Sequence, residues 1–257
     1  MPELAEVEYF RTRWNGGLRQ TVLRVHTHPR TRIFKGTNSG KLSRALAGTK
    51  LMASRAHGKQ LLFEFSGGGW LGLHLGMTGK LRVEPANFQP SRHDHLVLFQ
   101  KARALVFTDP RQFGRIRFDQ GPQPPDWWQI LPPDLFAKEF TLERLQSVLQ
   151  RHRRAPLKAV LLLQRYFPGI GNWMADEILW RAKIFPGQSA GLIGGAGAKI
   201  LWREIKFVSR QAMAIIAPDF SDPPKSWLFQ HRWKKGGHCP RDGAGLRHAT
   251  IGGRTTC

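Results

Sequence analysis

The sequence predicts an α+β protein whose first half is mainly antiparallel β-structure and whose second half is mainly helical. Apolar residues first recur every three or four positions, then every second position up to about residue 118, and every three or four again later. Five prolines fall within residues 119–133, where neither period is sustained. A chain of 257 residues is long enough for two domains. We therefore predict a first domain over 1–118, a linker over 119–134, a helical domain over 135–217 and a separate tail over 218–257.

The first helix is indicated by Val7, Phe10, Trp14 and Leu18, which are spaced as one face of an amphipathic helix. We predict that it ends at 15–17, Asn-Gly-Gly, because glycine readily adopts the left-handed conformation found just past a helix end.

Seven short runs of β-branched, aromatic and leucine residues follow, separated by glycine turns, and they predict the strands of an antiparallel β-domain. The runs are 22–25, 61–65, 70–75, 81–83, 95–99, 105–108 and 116–118.

Three helices are predicted after the proline-rich segment. Residues 142–149 carry apolar residues at helical spacing after Thr141, a favourable capping residue. A second helix begins at 157–163, and a third covers 198–216. The apolar stripe of this third helix is interpreted as core, not as a cofactor site, and consists of Leu201, Ile205, Val208 and Ala212.

The charge predicts an anionic polymer as partner. Forty Lys and Arg oppose 18 Asp and Glu, a formal net charge of +22. Charge alone does not separate DNA from RNA or an anionic membrane. The longest strictly aliphatic run, 159–163, is far too short to span a bilayer, and no apolar segment follows Met1. With two cysteines and no export signal, the sequence predicts an intracellular, cytoplasmic protein without a disulfide framework.

The first residues carry candidate chemistry. If Met1 is removed, Pro2 becomes the N-terminus and its secondary amine can act as a nucleophile near neutral pH. Glu3 and Glu6 would share a face beside it if the segment is helical. The alternative is an ordinary helix start, with Pro2 at a favourable first position and acidic residues in the first turn.

A resemblance to a known family adds weight to the chemical interpretation. The stretch Pro-Glu-Leu-Ala-Glu-Val-Glu at 2–8 resembles the start of the formamidopyrimidine-DNA glycosylase and endonuclease VIII family, with Ala5 in place of the usual proline. Similar motifs follow in the family's order: His-Gly-Lys at 57–59, His-Leu-Gly-Met-Thr-Gly at 74–79, Asp-Pro-Arg-Gln-Phe-Gly at 109–114 and Gly-Ile-Gly-Asn at 169–172. The resemblance implies an N-terminal helix with a two-layer antiparallel β-sandwich, then a helix-two-turn-helix domain with a β-hairpin finger.

For these residues the family implies roles on damaged double-stranded DNA. Lys59 would contact the phosphate beside the lesion, although a lone turn lysine is more often a solvated charge. Met77 would fill the space left by an everted base, while Arg111 would bind the orphaned opposite base and Phe113 would stack beside it. The alternatives are a methionine that fills a core and a type I turn with a buried phenylalanine.

In the second half, the resemblance implies four DNA-binding residues, Lys158, Gly171, Asn172 and Arg254, of which Asn172 and Arg254 would hold phosphates. Glycine before a helix lets the backbone approach a phosphate, and the first amides of the helix then point at it. Asn172 could both cap this helix and reach the phosphate.

The predicted activity is a DNA glycosylase with AP lyase activity that acts as a monomer. Pro2 would attack C1′ of the everted nucleotide, Glu3 would donate and accept protons, and Glu6 would support that network. Eversion is required because a stacked base blocks C1′. The predicted substrates are oxidised bases, namely formamidopyrimidines and 8-oxoguanine. The segment 217–227 is shorter than the lid of 8-oxoguanine-specific members, so an endonuclease VIII-like preference for oxidised pyrimidines is the alternative. A non-catalytic DNA-binding protein and a basic RNA-binding protein are the alternatives.

The tail departs from the family's zinc finger, whose usual ligands are two Cys-x-x-Cys pairs. Cys239 matches the first ligand, but Asp242 stands at the second and Cys257 falls on a non-ligand position. We expect either a fragment of a longer chain or a hairpin held without zinc. A site made from His238, Cys239, His248 and Cys257 has no standard spacing. No cofactor is expected for catalysis.

Overall fold

The computed structural model describes residues 1–29, 31–233 and 236–257. The chain forms two compact units. The first unit contains Met1–Pro2 and Glu6–Leu131, and the second contains Glu3–Ala5 and Pro132–Cys257. The chain therefore contributes three of its earliest residues to the unit formed by its second half. The other boundary falls inside the proline-rich segment.

The first unit holds two four-stranded antiparallel sheets, in the orders β1-β6-β7-β5 and β2-β3-β4-β8. The strands are β1 (Arg24–Thr27), β2 (Leu51–His57), β3 (Gln60–Phe65), β4 (Gly69–His74), β5 (Lys80–Pro85), β6 (Asp94–Phe99), β7 (Arg103–Thr108) and β8 (Arg115–Gln120). Its helices are α1 (Leu4–Arg13), whose first two residues belong to the second unit, α2 (Ser39–Leu46) and α3 (Asp126–Gln129). The α+β class and the antiparallel pairing are as the sequence predicts, and all seven predicted runs contribute residues to strands.

The core of this unit combines side chains from both sheets with one face of α1. Val7, Phe10 and Trp14 are buried at the predicted spacing, and the Trp14 ring lies 4.8 Å from that of Phe63. Gly17 follows the helix for a different reason from the one predicted. The left-handed residue is Arg19 (φ 65°), whereas Gly17 is required because a Cβ there would lie 2.6 Å from the Leu105 side chain.

Two elements of the first unit have no clear sequence signal. Strand β2 reads Leu-Met-Ala-Ser-Arg-Ala-His and has only Leu51 fully buried, so its hydrophobic pattern does not alternate. Helix α2 has eight residues and buries Leu42 and Leu46, which is too short a pattern to establish a helical period. Pairing with β3 defines β2, and the side chain of Asn38 caps α2.

The proline-rich segment is partly structured. Strand β8 extends to Gln120, and the short helix α3 follows. Trp127 packs against Gly72 of β4, where a Cβ would lie 2.5 Å from the indole, and its Nε1 donates to Asp119 at 3.0 Å. Residues 119–129 therefore have more structure than the absence of a period suggests, because the tryptophan gives the segment a packing partner.

The second unit contains α4 (Leu142–Arg151), α5 (Leu157–Leu161), α6 (Asn172–Ala182), α7 (Gly195–Asp219) and the hairpin β9 (Ala249–Ile251) and β10 (Arg254–Thr256). Thr141 caps α4 as predicted and accepts from the Arg144 amide at 3.2 Å. The four-residue stripe of α7 is fully buried, which confirms its interpretation as core.

Leu4 and Ala5 join the core of this unit, and the Leu4 amide donates to the Gly169 carbonyl at 3.1 Å. Across the described parts of the chain, no helix is both long and apolar enough to cross a membrane.

Candidate active site

The Glu3 carboxylate is held at the N-terminus of α6. Its side chain is buried, with 3% of the residue exposed. Oε2 accepts from the amides of Gly171 (2.9 Å) and Met174 (3.1 Å), and Oε1 accepts from the Trp173 amide (3.0 Å). These amides would otherwise lack partners at a helix start, and the helix dipole there favours negative charge. A residue from the start of the chain therefore caps a helix that begins 169 positions later.

This arrangement corrects the prediction for Gly171. A Cβ at Gly171 would lie 2.2 Å from Cδ of Glu3, so the close approach that requires glycine is to this carboxylate. The first amides of α6 point at Glu3 instead of a DNA phosphate. Asn172 does not cap the helix either: Gly171 occupies the N-cap position, and no side chain makes the capping hydrogen bond.

Pro2 is half-buried and immediately precedes the fixed carboxylate. Helix α1 begins at Leu4, so Pro2 is not a first-turn residue and the interpretation as an ordinary helix start loses its main support. Glu3 and Glu6 do not share a helical face, since Glu3 precedes α1 and belongs to the second unit whereas Glu6 belongs to the first. Met1 is exposed, which leaves its peptide bond with Pro2 accessible to a peptidase.

Lys59 lies in the two-residue turn between β2 and β3, where Gly58 adopts φ 57° and His57 pairs with Gln60. Lys59 is buried, not a solvated charge.

Burial, followed by the charges of Lys59 and Arg117, lowers the pKa of His74, and His74 Nδ1 accepts from the Gly76 amide at 3.0 Å. Because Nδ1 accepts this hydrogen bond, the neutral form of His74 carries its proton on Nε2. It also lines a cavity of about 260 Å³ beside Phe113, Arg115 and Arg117.

Met77, Arg111 and Phe113 lie on two loops of the first unit. Met77 is 39% exposed and Phe113 is 57% exposed, so neither side chain is core filler or a buried turn residue. The guanidinium carbon of Arg111 lies 5.0 Å from the centre of the Phe113 ring. Such exposed apolar side chains beside a cation suit insertion between bases.

Lys158 has a different environment from the one predicted. Its side chain is fully buried, and Nζ contacts Asp176 Oδ1 at 2.7 Å, the Thr255 carbonyl at 2.8 Å and Thr256 Oγ1 at 2.7 Å. Asp176 also binds the buried guanidinium of Arg232. An ammonium enclosed in this way does not reach DNA, so the predicted DNA-binding role of Lys158 is revised: Lys158 anchors the hairpin.

Asn172 and Arg254 are brought together through the same hairpin. Asn172 Nδ2 donates to the Thr255 carbonyl at 3.0 Å, the acceptor that Lys158 also uses. Arg254 is exposed at the start of β10, next to that carbonyl. Asn172 therefore contacts the residue that follows Arg254 in the hairpin.

The donor groups around Cys239 do not fit a zinc site. Trp180 Nε1 donates to Cys239 Sγ at 3.4 Å, and a hydrogen bond from Cys239 is the largest cause of the lowered pKa of Asp242. His248 Nε2 lies 2.9 Å from the Arg232 carbonyl. Within the described residues, no three His, Cys, Asp or Glu side chains cluster as metal ligands.

Two models of a known protein family match the first and second halves of the chain. A family model described as the formamidopyrimidine-DNA glycosylase N-terminal domain matches residues 1–116, and one described as the formamidopyrimidine-DNA glycosylase H2TH domain matches residues 131–220. A formamidopyrimidine-DNA glycosylase of Roseiflexus is 32% identical over 266 residues, covering 100% of this chain and 97% of the relative. One from Xanthomonas euvesicatoria is 34% identical over 225 residues, covering 84% and 83%.

Solved structures agree. Lactococcus lactis Fpg in complex with DNA containing an abasic site superposes with a TM-score of 0.88 at 26% identity, covering 99% of this chain and 96% of that one. A complex of the same protein with DNA containing an oxidised pyrimidine gives 0.89 at 26% identity, covering 99% and 97%. The fold and its helix-two-turn-helix domain thus define a DNA glycosylase. The chain belongs to the formamidopyrimidine-DNA glycosylase family of DNA-repair enzymes.

Proposed function

We propose that this chain is a bifunctional DNA glycosylase and AP lyase that removes oxidised bases from duplex DNA with Pro2 as nucleophile. The observation that carries the proposal is the Glu3 carboxylate, which three backbone amides hold beside the residue that becomes the amino terminus. Three donors to one carboxylate fix its position and orientation, so Glu3 is placed to exchange a proton with the neighbouring amine.

In the proposed reaction the Pro2 nitrogen bonds to C1′ as the glycosidic bond breaks, and the base departs with that electron pair and takes up a proton. Glu3 accepts the proton released by the alkylated amine and returns it to O4′ as the C1′–O4′ bond opens. The result is an iminium ion at C1′. Water takes a C2′ proton as the C3′–O bond breaks and the 3′ phosphate leaves. Loss of the C4′ proton to water then breaks the C5′–O bond and expels the 5′ phosphate, and hydrolysis of the iminium frees Pro2.

The substrate is proposed to be a damaged nucleotide everted from double-stranded DNA. Met77 and Phe113 offer exposed apolar side chains to fill the vacated stack, and Arg111 offers donors to the opposite base. Lys59, Asn172 and Arg254 supply groups for the phosphates around the lesion. The enzyme is proposed to act as a monomer and without a cofactor, because the reaction assigned to it uses only the α-amine and side chains of one chain.

The segment after α7 bears on the class of lesion that the enzyme removes. Helix α7 ends at Asp219 and the next helical turn starts at Leu228, which leaves eight residues for a lid. Formamidopyrimidines are proposed as substrates because of the family. Oxidised pyrimidines are a second candidate because the L. lactis relative was solved with such DNA.

The test is borohydride trapping. Untagged protein is incubated with labelled duplexes that carry an abasic site, 8-oxoguanine, a formamidopyrimidine or an oxidised pyrimidine, and intact mass spectrometry locates the reduced adduct and reports whether Met1 is absent. An adduct is expected for the wild type and for the control Pro122→Gly, and is expected to be lost in Pro2→Gly and after chemical blocking of the terminus. The duplex that traps best identifies the lesion class.

Two results would overturn the proposal. Tight binding to every duplex without any adduct would indicate a non-catalytic DNA-binding protein. A preference for structured RNA over abasic duplex would indicate the RNA-binding alternative.

A further inference from the structure

The Met77 loop (residues 75–79) and the Arg111 loop (residues 109–114) are joined by one buried carboxylate. Thr78 Oγ1 donates to Asp109 Oδ1 at 2.6 Å, across the two loops. Within its own loop, Asp109 accepts from the Gly114 amide on Oδ2 at 2.7 Å and from the Arg111 amide on Oδ1 at 3.3 Å. Asp109 is fully buried, so these bonds do not compete directly with water.

The backbones of the two loops are also in direct contact. Gly76 has φ 62°, and a Cβ there would lie 2.4 Å from the carbonyl carbon of Phe113 and 2.5 Å from the Gly114 nitrogen. No side chain fits between the loops at this point. The residue before Met77 and the residues that follow Arg111 are therefore packed against each other without a gap.

A third contact holds the outer side of the Arg111 loop. Gln112 adopts the left-handed conformation with φ 53°, which is uncommon for a residue with a Cβ. Its Oε1 accepts from Thr31 Oγ1 at 3.2 Å and from the Arg32 amide at 3.3 Å. The side chain between Arg111 and Phe113 thus fixes the loop to the helical turn at Arg32–Phe34.

We propose that Asp109 and Thr78 are positioning residues that make Met77, Arg111 and Phe113 one rigid intercalating unit. The proposal deepens the glycosylase function proposed above and rests on it. Filling the stack requires three side chains to enter at once while a nucleotide leaves, and loops that moved independently would lose more conformational entropy on binding. The Thr78–Asp109 bond ties the loops together before DNA arrives.

The test uses Thr78→Val, which keeps the shape of the half-exposed side chain and removes the donor to Asp109. Because a hydrogen bond to a charged group is lost, excision of a damaged base is expected to fall about 10- to 100-fold under single-turnover conditions. Cleavage of a preformed abasic site, which needs less assistance to evert, is expected to change by less than about threefold. A 2-aminopurine beside the lesion is expected to report slower eversion.

A double-mutant cycle separates positioning from a general structural role. If Thr78 acts by holding Met77, then Thr78→Val combined with Met77→Ala is expected to be no slower in excision than the more impaired single variant. Thr78→Ser, which keeps the donor, is expected to restore excision to within about threefold of the wild type. Multiplicative losses in the double variant would overturn the proposal, as would a Thr78→Val protein with normal eversion.

The matched control is Thr49→Val, whose hydroxyl donates to the Leu46 carbonyl at 2.7 Å in the turn between α2 and β2. It is expected to leave the ratio of excision to abasic-site cleavage unchanged. Failure of the underlying function has a different outcome: the wild type would then form no trapped adduct, whereas failure of this proposal leaves the wild type active and Thr78→Val equally active in both assays.

Discussion

Gly171 shows how one missing side chain can determine the geometry of the proposed reaction. The carboxylate of Glu3 occupies the space where a Cβ of residue 171 would lie, and the amide of the same glycine donates to it. Residue 171 thus leaves space for the Glu3 carboxylate and also donates a hydrogen bond to it. Any residue other than glycine displaces the group that we assign to proton transfer.

We expect Gly171→Ala to impair both base excision and abasic-site cleavage, because Glu3 takes part in both. Overpacking of a buried contact costs about 1–3 kcal/mol, so a reduced free energy of unfolding is also expected. Borohydride trapping and urea unfolding measure the two effects. Gly194→Ala is the matched control, since Gly194 is the N-cap of α7 and a Cβ at that position would have no neighbouring atom within 4 Å.

A Gly171→Ala protein with normal abasic-site cleavage would show that the position of Glu3 is not needed for the lyase reaction. Loss of activity in Gly194→Ala as well would show that the assay responds to any substitution at a helix start.

The sequence identifies functional residues more reliably than it identifies the partners of those residues. Met77 and Phe113 are exposed as their motifs predict, because turn residues such as those around Gly76 and Gly114 specify the loops locally. Gly171 and Lys158 are predicted DNA-binding residues, yet the structure shows Glu3 and Asp176 as their partners. These contacts join positions far apart in the chain, and neither spacing nor periodicity encodes such pairs.

At the scale of elements, helix α6 is where the hairpin and the N-terminal residues are fixed. Its first turn binds Glu3, and its fifth residue, Asp176, binds both Lys158 of α5 and Arg232. Lys158 continues the network to Thr255 and Thr256 of β10. A buried acidic residue between two buried cations therefore determines the position of the strand that presents Arg254.

We expect Asp176→Asn to destabilise the protein much more than Lys158→Met. Removing the carboxylate leaves two buried cations without their shared counter-ion, at a cost of about 3–5 kcal/mol. Lys158→Met leaves Asp176 paired with Arg232, so a smaller loss is expected. Urea unfolding of both variants tests the order, and a larger loss in Lys158→Met would show that the hydrogen bonds to β10 matter more than the charge balance.

Glu177, the next residue of α6, gives a prediction for pH dependence. Burial is the main reason that its pKa rises from 4.5 to about 6, and Arg181 and the Phe229 amide oppose that rise. The folded protein therefore holds this proton more tightly than the unfolded chain. Between about pH 4.5 and 6 the folded state binds more protons at this site, so its contribution to the free energy of unfolding falls as pH rises.

The shift corresponds to about 2 kcal/mol at 1.36 kcal/mol per pKa unit. We expect the unfolding free energy of the wild type, relative to Glu177→Gln, to fall by about this amount from pH 4 to pH 7. Urea titrations at several pH values measure the difference. A difference that stays flat, or that grows with pH, would show that Arg181 keeps the carboxylate ionised in the folded protein.

For the whole molecule, the net charge of +22 makes any interaction with DNA depend steeply on salt. Cations that do not touch the DNA contribute only a general attraction, whereas a side chain that contacts a phosphate releases a counterion from the DNA. The two contributions differ in a measurable way, because the slope of log K against log salt counts phosphate contacts, at about 0.9 per contact on duplex DNA. Arg254, exposed beside the Asn172 contact on Thr255, is the residue for which this distinction matters most.

We expect Arg254→Gln to lower the affinity for an abasic duplex and to reduce the salt slope by about one. Arg210→Gln, an exposed arginine on α7, removes the same charge and serves as the control. Its effect on affinity is expected to be small, and its slope is expected to match that of the wild type. Fluorescence anisotropy between about 50 and 200 mM salt measures both quantities. Equal slopes for Arg254→Gln and Arg210→Gln would show that Arg254 does not contact a phosphate, whatever the change in affinity.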